Sequence, residues 1–80
     1  MANQKVQAEK IWQNAYAEAY KTEYAAEYSK LFSEEYENLV NGGYDKDDAR
    51  HAAHSNIIDA VKDNADRNAK DIADAVVTMY

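Results

Sequence analysis

The sequence predicts an all-α protein, an antiparallel hairpin of two long helices over about residues 4–41 and 46–78. Three observations point to this fold. The 80 residues include no proline. The two glycines are adjacent, at Gly42 and Gly43, and mark one break in a chain that otherwise suits helix. Before that break, aromatic residues recur at every fourth position, which makes them neighbours on a helix surface.

The first helix carries seven aromatic side chains in one series, which we call the aromatic row: Trp12, Tyr16, Tyr20, Tyr24, Tyr28, Phe32 and Tyr36. A helix turns about 100° per residue, so this row advances roughly 240° around a straight helix. One partner helix covers a stripe of about 100°. We therefore expect a single partner to leave some of these rings uncovered.

A second spacing on the same helix alternates steps of four and three residues, as in the seam of a coiled coil. Most of its side chains are small, and small residues let two helices approach closely. The predicted seam consists of Ala8, Trp12, Ala15, Ala19, Thr22, Ala26, Ser29, Ser33, Tyr36 and Val40.

The second helix is predicted to begin after Asp45, which suits the N-cap, with Asp47 and Asp48 in the first turn, where the helix dipole favours negative charge. Its seam is expected at Asp47, His51, His54, Ile58, Val61, Ala65, Asn68, Ile72, Ala75 or Val76, and Met79. A reversal at the glycines sets the helices antiparallel, so that the numbers of facing residues sum to about 87. Small residues of the first seam then face larger ones of the second, which favours a hairpin.

A second apolar face remains once these seams are paired. It comprises Ala17, Tyr20, Tyr24, Tyr28, Leu31, Phe32 and Leu39 on the first helix and Ala49, Ala53, Ile57 and Ala60 on the second. A lone hairpin would leave this face in water, so we expect a homodimer that forms a four-helix bundle. The alternative is a three-helix domain in which the first helix breaks near residues 20–22, although no Gly or Pro favours a break there.

Composition limits the classes of function. Residues 1–80 are enough for one domain, and the lack of cysteine excludes disulfides and thiolate metal sites. The net charge of −6, which is spread evenly along the chain, argues against direct binding of nucleic acid. No apolar run approaches the ~20 residues of a membrane span, and no signal peptide is recognisable. We expect a soluble, cytoplasmic protein that does not bind membranes.

Candidate chemistry is sparse. Asp47, His51 and His54 share one helix face and are weak candidates for a metal site, but a histidine in a seam is more often simply hydrogen-bonded. The serines lie inside predicted helix without a glycine-rich elbow or oxyanion donors, which argues against nucleophilic catalysis. The sequence therefore predicts no catalytic residues and no cofactor.

The aromatic residues favour a protein interface, where tyrosine is a frequent anchor. The residues expected to bind a protein partner are Tyr20, Tyr24, Tyr28, Leu31, Phe32, Glu23 and Glu27. We predict a small, acidic, non-catalytic interaction module, a regulator or inhibitor of the kind that phages and mobile elements encode. The alternatives are a nucleic-acid mimic in the basic groove of a DNA- or RNA-binding protein, a structural component of an assembly, and a metal-binding helical protein using His51 and His54.

Overall fold

Two long helices make up the fold in a computed structural model, which describes the backbone of residues 2–79 and the side chains of residues 6–79. Helix α1 spans Ala2–Asn41 and helix α2 spans Lys46–Thr78. They pack against each other along a hairpin of 61 × 16 × 13 Å. The predicted all-α hairpin is confirmed, with α1 starting two residues earlier than expected. Helix α1 is unbroken through residues 20–22, so the three-helix alternative is wrong.

The glycine pair ends α1 in a Schellman motif. Gly43 has a φ of +101°, in the left-handed region that favours glycine. Its N–H donates to the carbonyl of Val40 at 3.1 Å, and the N–H of Tyr44 donates to the carbonyl of Leu39 at 3.0 Å. These two bonds satisfy carbonyls that would otherwise lack partners at the helix end. The chain reverses immediately afterwards.

Asp45 occupies the N-cap of α2, as predicted. Its carbonyl accepts the first helical hydrogen bond, from the N–H of Ala49 at 2.8 Å. Its side chain makes no capping hydrogen bond. The acidic residues of the first turn are Asp47 and Asp48, so their carboxylates interact favourably with the positive end of the helix dipole.

The core is a row of small residues on α2 that repeats every four positions. All members are buried: Ala49, Ala53, Ile57, Val61, Ala65, Ala69 and Ala73. On α1, the buried and half-buried positions form two rows with the same repeat. One is the aromatic row, continued by Val40, and the other is Ile11, Ala15, Ala19, Glu23, Glu27, Leu31, Glu35 and Leu39. The α2 row therefore lies in the groove between the two α1 rows, a packing of four-residue ridges into four-residue grooves.

The predicted seam with alternating steps of four and three is wrong. On α1, its middle members are exposed: Thr22, Ala26, Ser29 and Ser33. On α2, the predicted seam positions Asp47, His51, His54, Ile72, Ala75 and Met79 are exposed, and three residues assigned to the second apolar face, Ala49, Ala53 and Ile57, are buried instead. A contact repeat of four is longer than the 3.6 residues of a helical turn, and such a repeat winds two helices right-handed, whereas a repeat of 3.5 winds them left-handed.

The right-handed winding of the two helices explains why α2 alone lies beside the whole aromatic row. All seven rings are half-buried, contrary to the expectation that a single partner would leave some uncovered. That expectation treated the helices as straight, but a partner that winds with the row stays beside it. The predicted register is close to the observed one, because the hydrogen-bonded pairs Trp12–Asp74 and Tyr28–His54 have residue numbers that sum to 86 and 82.

Candidate protein-interaction site

The aromatic row forms one continuous stack along α1. Successive ring centroids lie between 5.2 Å, for Trp12 and Tyr16, and 6.2 Å, for Tyr24 and Tyr28. Four of the six successive ring pairs are within 15° of parallel. Stacked rings at these separations attract each other. The stack therefore connects successive turns of α1, and each of its rings is partly exposed.

Polar atoms of the row reach α2. The indole Nε1 of Trp12 donates to Oδ1 of Asp74 at 2.7 Å. The hydroxyl of Tyr28 lies 2.8 Å from Nδ1 of His54, and the two rings are 5.7 Å apart. Asp74 and His54 are separated by a multiple of four residues, so they belong to one row on α2. The aromatic row is thus also one edge of the interhelical interface.

Tyr16 makes the third such contact by donating its hydroxyl hydrogen to the carboxylate of Asp66. This hydrogen bond raises the pKa of Tyr16 to about 12, because ionisation would break the bond and place two negative charges side by side. The same bond, together with a contact from Lys70 at 3.0 Å, lowers the pKa of Asp66 below its usual value. The three side chains form a network that joins the helices.

The structure divides the predicted protein-binding residues between two flanks of α2. Tyr20, Tyr24, Tyr28 and Phe32 stand together in the aromatic row. Glu23, Glu27 and Leu31 stand in the other α1 row, where Oε2 of Glu27 accepts a 3.3 Å hydrogen bond from Asn64. All seven are half-buried. A partner seated on one flank would contact one group or the other, and their role in binding stays a prediction.

A hollow of about 350 Å³ lies beside the aromatic row near the turn. We call it the loop-end hollow, and its lining residues are Phe32, Ser33, Tyr36, Glu37, Val40 and Asn41. The rings of Phe32 and Tyr36 stack with centroids 5.8 Å apart, and the exposed residue Glu37 also lines the hollow. Sequence reasoning named only Phe32 as a site residue. The other lining residues could have been found from the recurrence of Phe32, Tyr36 and Val40 at every fourth position.

Two of the three weak metal candidates, Asp47 and His54, have other contacts, and His51 is exposed. Asp47 forms an ion pair with Arg50 on the surface of α2. His54 contacts Tyr28. Across the residues that the structure describes, no group of three or more His, Cys, Asp or Glu side chains is placed to hold a metal ion.

The net charge is unevenly distributed between the two ends of the hairpin. We define the loop half as residues 23–63 and the open half as residues 2–22 and 64–79. The loop half contains ten acidic and four basic residues, whereas the open half contains five of each. The whole net charge of −6 therefore belongs to the loop half, and the two terminal segments, with charges of +1 and −1, meet at the other end and cancel. The expectation of an evenly spread charge is wrong, because the central segment of the sequence carries all of it.

Comparisons with protein-family models, curated proteins and solved structures found no match to this chain. Within the described residues, neither α1 nor α2 has the length and apolar character needed to cross a bilayer. We therefore infer the function from the surface of the hairpin.

Proposed function

We propose that the protein is a non-catalytic interaction module that binds a basic segment of a protein partner with its loop half. One observation carries this proposal: the loop-end hollow, with two stacked aromatic rings and a carboxylate, lies in the half of the hairpin that holds the entire net charge. The partner would be regulated or inhibited by occupation of its basic segment. A cytoplasmic location belongs to this proposal and has no support beyond composition.

The hollow suits a lysine or arginine side chain. The face of Tyr36 that does not stack on Phe32 attracts a cation, with a strength of about 0.5–1 kcal/mol at an exposed site. The carboxylate of Glu37 supplies an opposite charge, and hydrogen bonds between ionised groups are stronger than neutral ones. An apolar wall from Val40 would pack against the methylene stem of the bound side chain. These three contributions define one anchor site.

The acidic side chains of the loop half support the proposal through their field. Most of its acidic residues are exposed: Glu34, Glu37, Asp45, Asp47, Asp48, Asp59 and Asp63. A surface with one sign of charge attracts an oppositely charged partner and raises the rate of association. The neutral open half contributes no comparable attraction. A partner is therefore expected to approach the end of the rod that holds the hollow.

Site-specific photo-crosslinking in the native cells tests the proposal. A photoreactive amino acid at Ser33, inside the hollow, is expected to capture one defined protein. The matched control places the same group at Gln13, an exposed residue of the open half. Capture of the same protein at both positions, or of none at Ser33, would contradict the proposed site.

Substitutions then measure the anchor with the captured partner. Tyr36→Ala is expected to weaken binding about fivefold, in keeping with the loss of one cation–π contact. Glu37→Gln is expected to slow association and to reduce its dependence on salt. Glu18→Gln, an equal charge change in the open half, is the control and should have little effect.

Salt dependence separates this proposal from nucleic-acid mimicry. Raising the salt from about 0.1 to 1 M shortens the Debye length from roughly 10 to 3 Å. A mimic that depends on rows of carboxylates would lose most of its affinity over this range. Binding anchored by Phe32 and Tyr36 should lose less, because salt screens the attraction to the acidic loop half but not the apolar contacts of the anchor. The four basic residues within the loop half also interrupt its acidic surface, which favours the anchor over the mimic.

A further inference from the structure

We propose that the open halves of two copies of this chain pack against each other, so that the protein is a dimer with its two acidic loop halves at opposite ends. This inference does not depend on the proposed partner. It rests on a groove, on the distribution of exposed apolar side chains, on the surface area of the hairpin and on its charge.

The groove is an open depression of about 800 Å³ on the flank of the hairpin opposite the aromatic row. Its lining combines apolar residues, among them Ile11, Ala15, Ala19, Ile72 and Val76, with the polar residues Asn14, Glu18, Thr22 and Glu23. The small residues of α1 leave room for another helix to approach closely, and Ile72 projects at the side with 40% of its surface exposed. Under two-fold symmetry, Ile72 of each copy would enter the groove of the other.

Exposed apolar side chains concentrate at the same end. Among the described residues, the large apolar side chains with substantial exposure are Val6, Tyr44, Ile72 and Met79. Three of the four lie in the open half, and the fourth, Tyr44, lies at the turn. Clustered apolar exposure marks an interaction surface, whereas single exposed residues need no explanation.

The hairpin exposes more surface than a compact monomer of its size. Its accessible surface is 5979 Å², whereas a folded monomer of 9.1 kDa has about 4,900 Å². Its radius of gyration is 17.4 Å, whereas a compact 80-residue domain has about 11.6 Å. The excess area of about 1,100 Å² is similar to the ~800 Å² that each partner buries in an interface of standard size. A second copy would therefore supply the burial that one hairpin lacks.

The distribution of charge determines which halves of two copies can pack together. Two loop halves in contact would place acidic surfaces of −6 each against one another, and such like-charge contact disfavours association. Two open halves have no net charge, and each contains five basic and five acidic residues that can pair across the interface. The second copy is thus the occupant whose apolar groups match the groove and whose open half adds no net charge.

Light scattering coupled to size exclusion tests the dimer. The wild-type chain is expected to have twice its 9.1-kDa mass. Ile72→Lys should halve the mass while helix content, measured by circular dichroism, is retained. Tyr44→Lys is the matched control, because it adds the same charge at an exposed apolar residue of the turn, and it should remain dimeric. Thr22→Lys, at an exposed position on the groove rim, gives a second test should Ile72→Lys unfold.

Small-angle scattering tests the arrangement. Overlap of the open halves alone should give a particle longer than the 61 Å of one hairpin, and a particle of about that length would mean full overlap and would overturn the geometry. A wild-type monomer at the highest soluble concentration, or a dimer unaffected by both groove substitutions, would overturn the proposal. Raised salt should weaken the dimer only slightly, since exposed ion pairs contribute little and salt does not screen apolar contacts.

Discussion

Tyr16 on α1 and Asp66 on α2 are joined by a hydrogen bond from the phenol to the carboxylate, and Lys70 contacts the second carboxylate oxygen at 3.0 Å. This network links the two helices through two groups that change charge at opposite ends of the pH scale, Tyr16 at alkaline pH and Asp66 at acid pH. Tyr16 must stay protonated to donate, and Asp66 must stay ionised to accept fully. The network therefore predicts two separate pH limits for the hairpin.

The alkaline limit follows from Tyr16. Its pKa of about 12 exceeds the ordinary value of 10.0, so the bond contributes stability that is complete below pH 10 and is lost between pH 10 and 12. A spectrophotometric titration should show one tyrosine ionising near pH 12. Tyr16→Phe should remove that transition and melt at a lower temperature at pH 7. A titration in which Tyr16→Phe leaves the high transition in place would contradict the assignment.

The acid limit follows from Asp66. Its pKa lies below the ordinary value of 3.8, so the unfolded chain binds a proton more readily than the folded chain does. The contribution is present above about pH 4 and is lost as the pH falls further. Asp66→Asn should melt at a lower temperature than wild type at pH 7, and the difference should shrink by pH 2. Asp71→Asn, at an exposed position of the same helix, serves as the control for the loss of one carboxylate.

The two glycines of the turn should respond differently to substitution. Gly43→Ala forces a side chain into the left-handed region and is expected to cost about 1–2 kcal/mol. At Gly42, an added Cβ would lie 3.3 Å from the carbonyl oxygen of Asn38, a tight contact without an unfavourable φ. Gly42→Ala should therefore cost less than Gly43→Ala. Urea unfolding of both variants gives the comparison, and an inverted order would refute the assigned C-cap.

The small residues of the buried α2 row set the distance between the helices. Ala65 is fully buried, and Ala65→Leu should push the helices apart at a cost of roughly 1–3 kcal/mol. The matched control is Ala75→Leu, at an exposed position of the same helix, which should change stability by no more than about 0.5 kcal/mol. Equal effects at the two positions would show that the row does not pack as described.

The sequence allowed the helices, the glycine stop and the approximate register to be predicted, because these depend on local propensity and capping. The contact face was predicted wrongly. Small residues such as Ala26 and Ser29 fit a four-and-three repeat by spacing alone, and they do not discriminate between faces. The decisive signal was the uninterrupted four-residue series on both helices, from Trp12 to Tyr36 and from Ala49 to Ala73.

The candidate site was predicted only in part, for two physical reasons. Tyr24 and Glu23 are adjacent in sequence but lie on opposite flanks of α2, and this separation depends on where the second helix sits. The concentration of charge in residues 23–63 can be counted in the sequence, but it forms one end of the molecule only because the chain reverses at the glycines. Neither property can be obtained from a single helix considered alone.

Because the contacts between the helices repeat every four residues, the length of the hairpin can change in steps of four residues per helix without disturbing those contacts. Removing residues 24–27 from α1 and 58–61 from α2 would shorten the rod by about 6 Å and leave every row in line. Removing seven residues from each helix, which an ordinary coiled coil tolerates, would bring Leu31 into the aromatic row and set Phe32 outside it. A hairpin with this repeat can therefore be lengthened or shortened by four residues per helix at a time. The distance between two sites on its surface then changes by about one helical turn at each step, and the contact between the helices stays the same.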